Sequence, residues 1–83
     1  MEEYKIRGFV ARDSTRGDES DLYIGTNKPH RQNCVDDDSY ATHIKWVGFG
    51  EFMAIPSSMF PDLNPTDEPI EVEITIKKKT TEL

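Results

Sequence analysis

The sequence predicts a mainly β protein, in which one small antiparallel sheet of about five strands curls into an open barrel or roll. Apolar and polar side chains alternate along residues 70–77, as they do along a strand with one covered face. Shorter apolar runs are bounded by turn-forming residues in the rest of the chain. Because 83 residues have room for one core, the strands are expected to form a single domain spanning residues 1–83.

The amino-terminal half predicts one hairpin followed by an irregular stretch. Alternating side chains along residues 4–11 indicate the first strand, and a polar, glycine-containing loop at about 12–20 leads to a short second strand at 22–24. Residues 29–42 show no clear period. They are therefore expected to form an irregular loop or, less favourably, one poor helical turn.

The carboxyl-terminal half predicts a second hairpin and the closing strand. Apolar runs at 44–47 and 52–55 are separated by a four-residue loop that contains two glycines, a common hairpin connection. A proline and two serines precede Met59, which favours one short helical turn near 57–60.

A turn-rich connector at 61–69 then leads into the strand 70–77. Three lysines, Lys77 to Lys79, terminate this strand. Lysines at the end of an edge strand discourage other molecules from pairing with it.

Charge and cysteine content restrict the environment of the protein. Its formal net charge of −6 disfavours a general attraction to phosphate backbones or anionic lipid, so partners are expected to be neutral or basic. The chain starts with acidic residues instead of a basic and then apolar secretory leader, and no apolar run approaches the roughly 20 residues that span a bilayer. Cys34 is the only cysteine, so no internal disulfide can form. These features predict a cytoplasmic protein without a membrane partner.

Five segments of the chain resemble a known group of proteins. They are GFVARD, LYIGTNKP, KW, MAIPSSMFP and PIEVEITI, which together span most of residues 5–77. In this order they are similar to small β-rich proteins of bacteriophages and of prophage-like regions of gut bacteria. The resemblance implies an accessory protein of a phage or mobile element. It transfers no activity and no catalytic residue, because the shared motifs are structural.

A protein-interaction module is the leading functional prediction, acting as a monomer or weak homodimer. Aromatic and methionine side chains dominate the binding energy of protein contacts, which nominates Trp46, Phe49 and Met59. Phe49 lies between two glycines at the predicted hairpin tip, where burial is hard to arrange, and is the first choice. For Trp46, Phe52 and Phe60 the competing interpretation, that they belong to the core, is favoured.

Single-stranded nucleic-acid binding is the alternative. Small barrels bind single strands with cations and flat rings, and the candidate residues here are Lys5, Arg7, Phe9, Lys28 and Arg31. The acidic net charge opposes this function. Packing of Phe9 under a loop is the simpler interpretation of that residue.

Metal binding and catalysis receive less support. His30, Cys34 and His43, with the aspartates at 36–38, supply zinc-ligand types but lack the paired, closely spaced arrangement of structural zinc sites. A serine or cysteine nucleophile would need a histidine oriented by a third group, and no motif supports one. We therefore expect no metal, no cofactor and no enzymatic activity.

Overall fold

The computed structural model describes residues 2–14, 20–35 and 42–79. These residues form two antiparallel sheets, a four-stranded one with the order β5-β2-β1-β6 and a two-stranded one made of β3 and β4. The strands are β1 (Glu3–Ser14), β2 (Ser20–Gly25), β3 (His30–Val35), β4 (Thr42–Val47), β5 (Phe52–Ile55) and β6 (Ile70–Lys77). The mainly β, antiparallel prediction is confirmed. The prediction of one sheet of about five strands curled into an open barrel or roll is wrong, because the described strands number six and divide into two sheets.

β1 is the longest strand and pairs on both sides. Its carboxyl-terminal part pairs with β2, and its amino-terminal part pairs with β6 from Glu3 opposite Lys77 to Val10 opposite Ile70. The predicted first hairpin and the predicted closing strand are both confirmed. A loop was expected to begin at about residue 12, but β1 continues through Ser14.

The prediction of a loop or helical turn over 29–42 is wrong, since β3 occupies part of this range. β3 pairs with β4 from His30 opposite Val47 to Val35 opposite Thr42. Its sequence is polar and five of its six residues are exposed, so it lacks the apolar alternation that marks other strands. Hydrogen bonding to β4 makes this segment a strand. Residues 36–41 lie outside the described residues.

The predicted second hairpin is also wrong, because β4 pairs with β3 while β5 pairs with β2. Gly48 and Gly50 adopt φ angles of 89° and 75°, in the left-handed region that favours glycine. They turn the chain away from β4, and the amide of Asn27 then donates to the carbonyl of Phe49 at 2.7 Å. The loop therefore crosses from one sheet to the other instead of closing a hairpin.

No helical turn forms near 57–60. The segment from Pro56 to Pro69 contains three successive turns, in which the amides of Met59, Leu63 and Asp67 each donate to the carbonyl three residues earlier. Phe60 has a φ of 49°, which a right-handed helix does not allow. We call residues 56–69 the turn segment.

The four-stranded sheet carries a core cluster on each face. Val10, Leu22 and Leu63 form one cluster, so the turn segment covers that face. Ala11, Trp46 and Phe49 form the other, beneath β4 and the loop that follows it. Since neighbouring residues of a strand point to opposite faces, β1 contributes Val10 to one cluster and Ala11 to the other.

Arg12 fixes the turn segment to the sheet. Its side chain is only 7% exposed, and its guanidinium donates to four backbone carbonyls. Nε lies 2.7 Å from the carbonyl oxygen of Leu63, Nη1 lies 3.0 Å from that of Ser57, and Nη2 lies 2.9 and 3.1 Å from those of Met59 and Phe60. Burial of a charge is costly unless hydrogen bonds compensate it, and these carbonyls provide that compensation.

Side chains at the end of β1 connect the two sheets. Asp13 Oδ1 accepts a hydrogen bond from the amide of Trp46 at 2.8 Å, and Ser14 Oγ accepts one from the amide of Ile44 at 2.6 Å. Trp46 also donates from Nε1 to the carbonyl of Pro65 at 3.2 Å. The bonds to Asp13 and Ser14 hold β4 against β1 without strand pairing between the two, and the bond to Pro65 joins β4 to the turn segment.

Candidate aromatic binding cleft

A cleft of about 430 Å³ lies where the two sheets meet. We call it the aromatic cleft. The aromatic and charged side chains that line it are those of Asp13, Tyr23, Lys45, Trp46, Phe49 and Phe52. Its volume falls within the range of roughly 300–1,000 Å³ that is typical of ligand sites. β1, β2, β4 and β5 all contribute to it, so the fold is needed to assemble it.

Three aromatic rings form a cluster at the cleft. The ring centroids of Phe49 and Phe52 lie 5.8 Å apart with an interplanar angle of 28°, and Tyr23 lies 6.3 Å from Phe49 and 6.0 Å from Phe52. Such offset and edge-to-face contacts are favourable. Phe49 is 4% exposed and Phe52 is 62% exposed, so the cluster has a buried base and an open rim.

The burial of Phe49 contradicts the expectation that it is exposed at a hairpin tip. Gly25 explains the difference, since a Cβ placed on it would lie 2.4 Å from Cβ of Phe49. The Phe49 ring therefore packs against a strand that has no side chain at this point. The exposure that nominated Phe49 as a contact residue is absent, and its role in binding stays a prediction.

The burial of the other apolar residues considered from the sequence agrees with the prediction for one residue and differs for others. Trp46 is 5% exposed, which confirms its expected burial. Phe52 and Phe60 are 62% and 41% exposed, so their assignment to the core is wrong. Met59 is 48% exposed in the turn segment and does not line the cleft. The structure thus brings Trp46 and Phe49 together but leaves Met59 elsewhere.

Asp13 provides a carboxyl group inside the cleft. Burial raises its pKa from the ordinary 3.8, and the hydrogen bond from the Trp46 amide and the positive charge of Lys45 oppose this rise. Burial also raises the pKa of the Tyr23 phenol, and the negative charges of Asp21 and Asp13 add to the increase. The cleft therefore combines apolar rings with one partly desolvated acidic group.

The raised pKa of Asp13 predicts a pH dependence of stability. A group whose pKa is higher in the folded state stabilises the fold at low pH, and this contribution is lost as the pH rises through the folded-state pKa. Asp13→Asn keeps an acceptor for the Trp46 amide but cannot ionise. We expect the stability of this variant relative to the wild type to increase from pH 4 upward, as measured by urea denaturation at several pH values. A constant difference across that range would contradict the prediction.

Tyr23 and Asp13 are cleft residues that the sequence did not nominate. Asp13 lies two residues after the predicted strand 4–11, and this position near a strand end was a usable signal. Tyr23 gave none, because its place at the cleft depends on its packing against the cluster that contains Trp46 and Phe49.

Lys5, Arg7 and Phe9 are engaged within the protein. Lys5 lies 3.8 Å from a carboxylate oxygen of Glu73, and Arg7 lies 3.3 Å from one of Glu71. The Arg7 guanidinium also stacks 5.5 Å from the centroid of Phe9, whose predicted burial is confirmed at 9% exposure. Their glutamate partners reduce the attraction of these cations for phosphate.

Lys28 and Arg31 lie at a different site. With His30, Trp46 and Glu68 they line a shallow depression of about 400 Å³. The five residues nominated for nucleic-acid binding are therefore not assembled into one surface. Two lie in this depression, and three lie along β1.

The residues nominated for zinc are only partly brought together. Cys34 and His43 are opposite each other in the pairing of β3 with β4, whereas His30 is opposite Val47. Asp36 to Asp38 lie outside the described residues. Within residues 2–14, 20–35 and 42–79, no group of three or more histidine, cysteine or acidic side chains is placed to hold a metal ion.

Across the described part of the chain, no helix has the length and apolar character required to cross a bilayer. The similarity to phage proteins stays a prediction. Comparison of this chain with protein-family models, with curated proteins and with solved structures gives no match.

Proposed function

We propose that this protein is a protein-interaction module whose aromatic cleft takes an apolar side chain from an extended segment of a partner protein. The observation that carries the proposal is the exposed ring of Phe52, stacked on the buried ring of Phe49 at an open cleft. Large exposed aromatic side chains beside a pocket are typical of interface hot spots. Binding, rather than catalysis, is the proposed activity, in a cytoplasmic accessory protein of a phage or mobile element.

The position of β5 supports an extended partner. β5 is an edge strand of the four-stranded sheet as described, and Phe52 is its first residue. A peptide can add to such an edge through backbone hydrogen bonds, with every second side chain on one face. Phe52 and Ala54 are opposite Gly25 and Tyr23, so both belong to the face with the cleft. Alternate side chains of the peptide would therefore lie beside the aromatic cluster.

Charge favours a neutral or basic partner. The chain has a net charge of −6, and Asp13 is the acidic group within the cleft. A partner segment with an aliphatic or aromatic residue next to a lysine or arginine matches both features. Complementary charge increases the rate of association and the discrimination between partners.

Phe52→Ala tests the proposal against a matched control. Partners are captured from host lysate with the wild type and identified by mass spectrometry, and their affinities are then measured with purified components. We expect Phe52→Ala to weaken binding at least about tenfold, because it removes the exposed aromatic ring, and to change stability by less than about 1 kcal/mol. Met53→Ala is the control, since Met53 is 63% exposed on the opposite face of the same strand.

Two outcomes would count against the proposal. One is equal affinity of the wild type and Phe52→Ala for the captured protein, and the other is an equal loss with Met53→Ala.

Single-stranded nucleic-acid binding is the second candidate, because Lys28 and Arg31 share a depression with Trp46. Salt-sensitive amide shifts at those two cations on addition of a short oligonucleotide, without shifts at Phe52, would favour it instead.

A further inference from the structure

The outer edge of β6 is a second surface with features of an interface. β6 is an edge strand in the described sheet, and every second one of its eight residues presents unpaired backbone groups along the outer side. Next to this edge, Tyr4, Ile6 and Ile76 are 59%, 41% and 53% exposed. They share one face, since Tyr4 is opposite Ile76 and Ile6 is opposite Ile74 in the pairing of β1 with β6.

We propose that β6 pairs antiparallel with β6 of a second copy of this chain, about a two-fold axis at Thr75. In this register Glu73 is opposite Lys77 of the second copy, and Glu71 is opposite its Lys79. Because the two-fold axis exchanges the two copies, each of these glutamate–lysine pairs occurs twice in the dimer. On the apolar face, Ile74 is opposite Ile76 of the second copy. Opposite charges and apolar residues in directly opposed positions stabilise antiparallel pairs.

Charge selects this register over its neighbours. A two-fold axis at Glu73 would place the two copies of Glu73 against each other, which is unfavourable. An axis at Ile74 would match Glu71 with Lys77 but leave Glu73 opposite Thr75. Only the axis at Thr75 gives both glutamates a lysine.

The lysines that end β6 therefore have a different effect from the one the sequence suggests. Against an uncharged strand they would oppose pairing, whereas against an antiparallel copy they meet glutamates. Glu71 and Glu73 already contact Arg7 and Lys5 of their own chain, but their side chains stay 58% and 64% exposed. Each glutamate can thus lie between a cation of β1 and a lysine of the second copy.

A charge exchange between two variants tests the pairing. Glu73→Lys places two lysines opposite each other in the homodimer, and Lys77→Glu places two glutamates opposite each other. We expect each variant alone to dimerise at least about tenfold more weakly than the wild type in sedimentation equilibrium at low salt. An equal mixture of the two is expected to recover the wild-type dimer, because both altered pairs become complementary in the heterodimer.

A further variant separates loss of pairing from loss of folding. Glu73→Lys also removes the contact with Lys5, whereas Lys79 lies beyond the β1–β6 ladder, which ends at Lys77. Lys79→Glu is therefore expected to weaken the dimer while leaving the circular dichroism spectrum and melting temperature unchanged. A wild type that stays monomeric at about 1 mM and low salt would overturn the proposal. So would unchanged dimerisation of Lys79→Glu, or a mixture of folded Glu73→Lys and Lys77→Glu that associates no better than either variant alone.

Discussion

Replacement of Arg12 by methionine is expected to lower the free energy of unfolding by about 3 kcal/mol or more. Methionine keeps much of the side-chain volume but donates no hydrogen bond. The carbonyls of Ser57, Met59, Phe60 and Leu63 would all lose the guanidinium that they share. The loss is large because these bonds also hold Phe60 in its left-handed conformation, which carries a steric cost.

Urea denaturation followed by circular dichroism measures this effect. Arg12→Lys should recover only a small part of the lost stability, since an ammonium group cannot span carbonyls that surround a planar fork. Arg31→Met is the control, because Arg31 is exposed, and a change within about 0.5 kcal/mol is expected there. A similar small change for Arg12→Met would show that the turn segment is held in another way.

Trp46→Ala is expected to destabilise the fold by about 4 kcal/mol. Trp46 is 5% exposed, packs in the cluster with Ala11 and Phe49, and donates from Nε1 to the carbonyl of Pro65. Its removal leaves a cavity between the two sheets and breaks a contact with the turn segment. The stability of a domain this small is modest, so the variant should be partly unfolded at 37 °C.

Thermal unfolding followed by far-ultraviolet circular dichroism measures the effect. Tryptophan fluorescence cannot be used, because Trp46 is the single tryptophan and the variant has none. Trp46→Phe keeps most of the ring packing and loses only the Nε1 donor, so it should fall between the wild type and Trp46→Ala. Phe52→Ala serves as the comparison, since it removes an aromatic ring that is 62% exposed. Equal melting temperatures for Trp46→Ala and Phe52→Ala would contradict the buried position of Trp46.

The sequence predicted those parts of the fold in which the conformation of a segment is determined by residues close to it in the chain. Alternation from Ile70 to Lys77 predicted β6, and the structure shows partly buried and exposed side chains alternating from Ile70 to Thr75. The first hairpin joins strands that are close in sequence. β3 was missed because its strand conformation depends on β4, and the partner of β5 was wrong because the loop at 48–51 binds residues near Asn27.

The candidate site was predictable only in its residue types. Trp46 and Phe49 were nominated because they are aromatic, and both line the cleft. The exposed member of the cluster is Phe52, not Phe49, and this exchange follows from the close packing of Phe49 on Gly25. Contacts between residues so distant in sequence leave no periodic pattern from which they could be inferred.

The pairing of β1 with β6 also determines when the chain can fold during its synthesis. Residues 3–8 of β1 pair with β6 and with no other described strand, so they remain without a partner until residues 70–77 have left the ribosome. Contacts between residues so far apart in sequence form slowly. A nascent or truncated chain that lacks residues 70–77 therefore exposes Tyr4 and Ile6 along an unpaired stretch of strand, which is the kind of segment that chaperones and proteases recognise.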